Sequence, residues 1–123
     1  MPLLSNKHKQ ILIAEDDNVL RKVLEELLLK AGYNVLTARN GQQAFYFLET
    51  TGADIVLSDN NMPHLTGLEF LEKVRNSENL SHTPFILMSA NEQGNGKIQP
   101  DAFLKKPFSA ATLLLLLDTH LQP

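Results

Sequence analysis

The chain has 123 residues, 43% of them hydrophobic, and a net charge of −3. This size and composition predict one globular domain over 1–123 with a packed core, in which about residues 1–9 form an N-terminal tail. The acidic balance argues against direct nucleic-acid binding, the lack of cysteine excludes disulfides and thiolate metal sites, and no apolar run is long enough to span a membrane, so a cytoplasmic location is expected.

Short apolar runs alternate along the chain with segments of helical periodicity. The runs predict five buried strands, at 10–14, 33–38, 54–59, 84–90 and 102–105. The first helix begins at Asn18, ends before Gly32, and should turn one apolar stripe inward, consisting of Leu20, Val23, Leu24, Leu27, Leu28 and Ala31. Asn40 and Thr66 are placed to cap the second and third helices, and Ser109 opens a final leucine-rich helix.

Strands that alternate with helices predict a parallel sheet with helices on both faces. Ligands of such sheets bind beyond the carboxyl ends of the strands. If the strand order is 2-1-3-4-5, the first and third strands are neighbours, and one rim of the sheet collects polar side chains. These are Glu15, Asp16 and Asp17 after the first strand, Asp59 at the end of the third, Ser89 at the end of the fourth, and Lys105 and Lys106 after the fifth.

This set of side chains is suited to phosphoryl transfer onto an aspartate. Crowded carboxylates repel one another, and Mg²⁺, which prefers oxygen ligands and often bridges carboxylates to phosphate, relieves that repulsion. A carboxylate can also attack phosphorus, and a lysine can neutralise a phosphate. The sequence contains no phosphate-binding glycine loop and no dinucleotide motif, so the phosphoryl group must arrive on a donor.

Five segments in this order resemble the response-regulator receiver domain of two-component signalling. They are ILIAEDD, DIVLSDNNMP, TGLEFL, ILMSA and KPF, and the resemblance covers nearly the whole chain. It implies a flavodoxin-like fold with strand order 2-1-3-4-5. It also implies a phosphoacceptor that takes its phosphoryl group, with Mg²⁺, from a sensor histidine kinase or a histidine phosphotransfer protein and signals through protein–protein contacts rather than as a metabolic enzyme.

The resemblance also assigns roles position by position. Asp59 corresponds to the phosphoacceptor, Glu15 and Asp16 to the acidic pair that holds the metal, and the backbone carbonyl of Asn61 to a further metal ligand. Lys106, expected to precede a cis bond to Pro107, corresponds to the phosphate-binding lysine. Ser89 and Phe103 correspond to the coupled hydroxyl and aromatic switch residues.

Two departures from the family pattern stand out. His64-Leu65-Thr66 replaces the common Gly-Met-Asp after the Met-Pro pair, which leaves the shape of that loop open. Between Ser89 and Lys106, the residues Gly94, Asn95, Gly96 and Pro100 oppose a helix, so the fourth helix of the family is expected to be short or absent.

Two other functions remain open at this point. One is an aspartate-nucleophile phosphohydrolase, which usually needs a second acid two residues after the nucleophile, where this chain has Asn61. The other is a docking module that is never phosphorylated.

The final helix carries five consecutive leucines, at 113–117, and these cannot all face the core. We therefore expect outward leucines, which together with Ile98 and Phe103 would form an apolar interface. A downstream protein or a second copy of the chain would bind there, at 91–104 and 113–121.

Overall fold

The computed structural model of the protein contains a single five-stranded sheet and describes residues 8–90 and 98–122. The strands are β1 (Gln10–Ala14), β2 (Asn34–Ala38), β3 (Ile55–Asp59), β4 (Phe85–Ser89) and β5 (Ala102–Lys105). All neighbouring strands are parallel, and their order is β2-β1-β3-β4-β5. The expected flavodoxin-like arrangement is therefore confirmed.

Four helices cover the two faces of this sheet in the described ranges. They are α1 (Asn18–Lys30), α2 (Gly41–Thr50), α3 (Gly67–Arg75) and α4 (Ala110–Leu121). Asn40, Thr66 and Ser109 cap α2, α3 and α4 as predicted. Asp17 lies one residue outside α1, where its carboxylate caps the amides of Val19 and Leu20.

The core consists of two apolar clusters, one on each side of the sheet. Leu28 of α1 and Leu117 of α4 belong to the first cluster. Leu48 of α2 and Phe70 of α3 belong to the second. Because β1, β3 and β4 are covered on both faces, their apolar residues are almost completely buried, as continuous apolar runs in the sequence indicate.

The stripe predicted for α1 was partly wrong. Leu24 and Leu28 are buried, and Leu20 and Leu27 are partly buried against the same cluster. Ala31 is exposed, because it lies just beyond the last residue of α1. Val23 is 54% exposed, because its part of α1 faces an open groove rather than a packed neighbour.

The expected loss of the fourth family helix concerns a segment that is only partly described. Residues 91–97 lie outside the described residues, and 98–101 contain no helix. The end of this connection is anchored before β5, where the Asp101 carboxylate accepts hydrogen bonds from the Phe85 amide and the Arg75 guanidinium. None of the helices in the described ranges has the length and apolar character needed to cross a bilayer.

The leucine run of α4 has the expected outward member. Leu113 and Leu117 are buried, whereas Leu115 is 68% exposed. Ile98 and Phe103 pack against the cluster beneath α2 and α3, on the other side of the sheet from α4. The packing therefore does not join them to Leu115 in one apolar core, and the interface at 91–104 and 113–121 stays a prediction.

Candidate functional site

Three carboxylates meet at the carboxyl edge of the sheet. β1 and β3 are adjacent, with Ala14 opposite Ser58, so the acids that follow β1 lie beside the end of β3. Glu15, Asp16 and Asp59 each offer an oxygen within 4.8 Å of the other two. Glu15 and Asp59 are buried and Asp16 is exposed, so the cluster opens to solvent on one side.

Lys106, the residue directly after β5, contacts two of these carboxylates. Its ammonium Nζ lies 2.8 Å from Asp59 Oδ1 and 3.7 Å from Glu15 Oε1. The Lys106 amide donates to the carbonyl of Ser89, which continues the pairing of β4 and β5 by one residue. The Lys106–Pro107 bond is cis, as expected. The structure therefore brings together Glu15, Asp16, Asp59 and Lys106.

The acids keep Lys106 charged. Burial alone would lower the pKa of Lys106, but its hydrogen bond to Asp59 and the attraction of Glu15 and Asp59 raise that pKa above its ordinary value. The side chain is therefore a cation throughout the neutral range, held against the acid that ends β3.

Burial opposes the ionisation of Glu15. Burial, to which the nearby Asp59 charge adds, raises the pKa of Glu15 to about 7, although the Asp17 amide donates to its Oε2 and Lys106 is near. Its other oxygen, Oε1, is buried and has no hydrogen-bond partner among the described residues. Lys106 Nζ, at 3.7 Å, lies beyond hydrogen-bond distance of this oxygen, so Oε1 and the two further carboxylates leave room for a bound cation beside Lys106.

The donor set fits Mg²⁺. All three side chains offer hard oxygen atoms, one of them already desolvated, and the cluster contains no soft ligand. Asn61, two residues beyond Asp59, is exposed on the loop that follows β3.

The loop after β3 is tied down at both ends. Thr66 and Glu69 form a reciprocal capping box at the start of α3. The carbonyl of Asn60 accepts hydrogen bonds from the amides of Met62 and Gly67. His64 has a left-handed φ of 69°, at a position where the family often has glycine. The departure from the family pattern does not remove the helix cap, because Thr66 still caps α3.

Gly67 allows α3 to begin very close to Asp59. A Cβ atom at Gly67 would lie 2.4 Å from the carbonyl oxygen of Asp59 and 2.8 Å from the Cα atom of Asn60. Both neighbours are backbone atoms, so any side chain at 67 would push the helix away from the acceptor strand.

The two switch candidates lie on neighbouring strands. Ser89 is the buried last residue of β4, and Phe103 on β5 pairs with Leu87, two residues before it. Because side chains alternate along a strand, Phe103, Leu87 and Ser89 share the sheet face that α2 and α3 cover. Lys105 pairs with Ser89 and is exposed, as a solvent-facing neighbour of Lys106 should be.

An apolar groove of about 610 Å³ adjoins the acid site. Apolar side chains of α1 form one wall, and the segment that leads into α4 forms the other. Its lining consists of Leu20, Val23, Leu24, Leu27, Ala90, Lys106, Pro107, Phe108 and Ala110. Lys106 therefore belongs both to the groove and to the acid site.

The sequence did not reveal the groove or the role of Asn60. Val23, which lines one wall of the groove, fitted the predicted inward stripe of α1. The opposite wall comes from residues 106–110, which are far from Val23 in the sequence. Asn60 could have been noticed as a turn-forming residue directly after a strand-terminal acid, but its side-chain partner, the Leu68 amide, depends on the path of the loop.

Comparison with known proteins identifies similar chains. The family model described as "Response regulator receiver domain" matches residues 11–118. The chemotaxis protein CheY-3 of Vibrio cholerae is 32% identical over 124 residues, which cover 96% of this chain and 95% of that protein. The 3',5'-cyclic-nucleotide phosphodiesterase regA of Dictyostelium discoideum is 38% identical over 121 residues, 92% of this chain but 15% of that protein.

A solved structure shares both the fold and the sequence pattern. It is the receiver domain of the sensor histidine kinase PA1611 from Pseudomonas aeruginosa PAO1, with a magnesium ion coordinated in its active-site cleft. It superposes with a TM-score of 0.85 at 31% identity, over 93% of this chain and 98% of that one.

Proposed function

The chain belongs to the response regulator receiver domain family, and we propose that it accepts a phosphoryl group on Asp59 from a phosphohistidine donor in a magnesium-dependent reaction. Receiver domains are signalling modules of two-component systems rather than metabolic enzymes. The observation that carries the proposal is the placement of the buried Asp59 2.8 Å from Lys106 within a cluster of three acids.

In the proposed step, one carboxylate oxygen of Asp59 attacks phosphorus. The oxygen–phosphorus bond forms while the bond between phosphorus and the donor imidazole nitrogen breaks, and the electron pair of that bond leaves on the imidazole. Lys106 stabilises the negative charge on the phosphoryl oxygens, because its cation is held by Asp59 and Glu15 at the place where this charge arrives.

Glu15 and Asp16, with Asp59 and the carbonyl of Asn61, are the residues that would hold Mg²⁺. When bound, the ion neutralises the crowded carboxylates and the incoming phosphoryl group. Without a cation, Glu15 tends to take up a proton, because burial raises its pKa to about 7. Ser89 would donate its hydroxyl hydrogen to the phosphoryl group, and its movement would be passed to Phe103 on the same face of the sheet.

The groove beside the site supports a helical protein as the donor. An exposed apolar trough between a helix and a loop is the usual seat of an amphipathic helix. Because Lys106 lines both the groove and the acid site, a helix seated there would bring its phosphohistidine to Asp59. A sensor histidine kinase or a histidine phosphotransfer protein meets this requirement.

Intact-protein mass spectrometry after incubation with acetyl phosphate and Mg²⁺ tests the proposal. The wild-type protein should gain the mass of one phosphoryl group, and Asp59→Asn should gain none. Asp54→Asn is the matched control, because Asp54 lies just before the other end of β3, where it accepts a hydrogen bond from the Gln10 amide. This control should be modified like the wild type.

The two alternative functions would give other results. No mass gain in the wild-type protein, with acetyl phosphate or with a kinase, would indicate a docking module. Hydrolysis of a phosphate monoester such as p-nitrophenyl phosphate, over many turnovers per chain, would indicate a phosphohydrolase.

A further inference from the structure

Asn60 occupies the position between the proposed acceptor, Asp59, and the proposed metal ligand, Asn61. Its amide donates to the carbonyl of Met88 on β4, so its backbone is fixed to the sheet. Its carbonyl accepts from the amides of Met62 and Gly67, and its side-chain Oδ1 accepts from the amide of Leu68 at 3.1 Å. One residue thus connects β4, the loop and the first turn of α3.

The first turn of α3 relies on Asn60 for half of its capping. The first amides of a helix have no partner within it and must be satisfied from outside. Thr66 and Glu69 satisfy each other's amides through their side chains, whereas Asn60 satisfies the amides of Gly67 and Leu68. Because Gly67 lets the helix approach the backbone of Asp59 and Asn60 closely, these two bonds hold α3 against the acceptor strand.

A further bond of Asn60, from the Met62 amide to its carbonyl, orients the carbonyl of Asn61. The Met62 amide donates to the Asn60 carbonyl, which makes a tight three-residue turn centred on Asn61. In a planar trans peptide the C=O and N–H groups point in opposite directions. The Asn61 carbonyl is therefore directed away from the Asn60 carbonyl for as long as this turn is kept.

We infer that Asn60 is a positioning residue for Mg²⁺ binding: the bond of its side chain to the Leu68 amide fixes Asn60 in the orientation in which its carbonyl accepts from the Met62 amide, and so sets the direction of the Asn61 carbonyl. The inference rests on the proposed function in so far as the Asn61 carbonyl and Asp59 take part in it. The bond to Leu68 uses the acceptor oxygen Oδ1, so the inference concerns this oxygen of the side chain.

Three substitutions separate this role from general stability. Asn60→Leu keeps the size of the side chain and removes the acceptor. Asn60→Asp keeps an acceptor oxygen at the same place. Asn40→Ala is the matched control, because Asn40 caps α2 through the same atom, Oδ1, in a bond of 2.8 Å to the amide of Gln43 and has no bond to the loop after β3.

Mg²⁺ affinity, measured by isothermal titration calorimetry, is the main readout, with hydrogen exchange of the Leu68 amide by NMR beside it. Asn60→Leu should speed Leu68 exchange and weaken Mg²⁺ binding about tenfold, as loss of an outer-shell partner does. Asn60→Asp should bind Mg²⁺ at least as tightly as the wild type. Asn40→Ala should lose stability to a similar degree and keep its Mg²⁺ affinity.

The inference is overturned if Asn60→Leu exchanges Leu68 faster yet binds Mg²⁺ as the wild type does, or if Leu68 exchange does not change. If Asn60→Leu does not fold, Asn60→Ala is judged by the same two criteria. The proposed function can fail separately. If Mg²⁺ binding depends on Asn60 as described but the wild-type protein is never phosphorylated, the proposed function is contradicted and the positioning role stands.

Discussion

Glu15 is the single residue whose ionisation the fold opposes most clearly. It is buried, its Oε1 lacks a hydrogen-bond partner among the described residues, and its pKa is raised from 4.5 to about 7. In the unfolded chain the same group ionises near 4.5. Between these two values the folded protein binds more protons than the unfolded chain, so stability falls as the pH rises through this window.

We predict that the metal-free protein loses stability between about pH 5 and about pH 7.5, by up to about 3 kcal/mol from this group. Glu15→Gln, which keeps an acceptor for the Asp17 amide, should lack this part of the loss. Urea unfolding of both proteins in a chelator at several pH values measures the difference. Mg²⁺ should restore the stability of the wild type at the higher pH. Parallel pH profiles for the two proteins would contradict this account of Glu15.

Gly67 is the residue at which the backbone comes closest to the site. Because a Cβ atom there would meet the Asp59 carbonyl oxygen at 2.4 Å, Gly67→Ala should shift α3 and lower the free energy of unfolding by about 1–3 kcal/mol. It should also slow phosphorylation by acetyl phosphate, because the shift moves the loop that carries Asn61.

Gly52→Ala provides the contrast for Gly67→Ala. Gly52 has a φ of 85° and no atom within 4 Å of an added Cβ, so its substitution strains the backbone far from the site. It should lose stability, by about 1 kcal/mol, and keep the wild-type phosphorylation rate. Equal phosphorylation rates for both variants would show that Gly67 has no role in placing the acceptor.

The helices and strands could be predicted from the sequence to within one residue at most ends. Three strands are buried on both faces, so their apolar runs are continuous, and the capping residues Asn40, Thr66 and Ser109 mark helix starts chemically. The acids and Lys106 could be placed at one edge because strand ends of a parallel sheet meet there. The bond from Leu68 to Asn60 and the exposure of Val23 could not, because each depends on a contact set by the path of a loop.

Two exposed residues of α1 test whether the donor protein binds in the groove. Val23 is 54% exposed and lines the groove, whereas Leu29 is 51% exposed on the same helix and does not line it. Val23→Glu should slow phosphotransfer from a histidine kinase or phosphotransfer protein that phosphorylates the wild type, because a charge is costly in an apolar contact. Leu29→Glu should not.

Both α1 variants should be phosphorylated by acetyl phosphate at the wild-type rate, since neither residue touches the acids. Transfer rates from the protein donor, followed by Phos-tag gel electrophoresis, give the comparison. Equal slowing by the two substitutions would mean that the donor protein does not bind in the groove.

In the whole molecule, the polar site and the apolar core occupy different places. The polar residues of the site collect at the carboxyl edge of the sheet, while two apolar clusters support the sheet from opposite faces. Substitutions of Asp59 or Lys106 should therefore alter phosphorylation while leaving the fold in place.

The location of the phosphoryl group tests the central claim most directly. Borohydride converts an aspartyl phosphate to homoserine, so peptide mass spectrometry after phosphorylation and reduction identifies the residue that carried it. We predict homoserine at position 59, formed only when both the phosphodonor and Mg²⁺ are present. Modification at another residue, or the same modification at 59 in a chelator, would contradict the account.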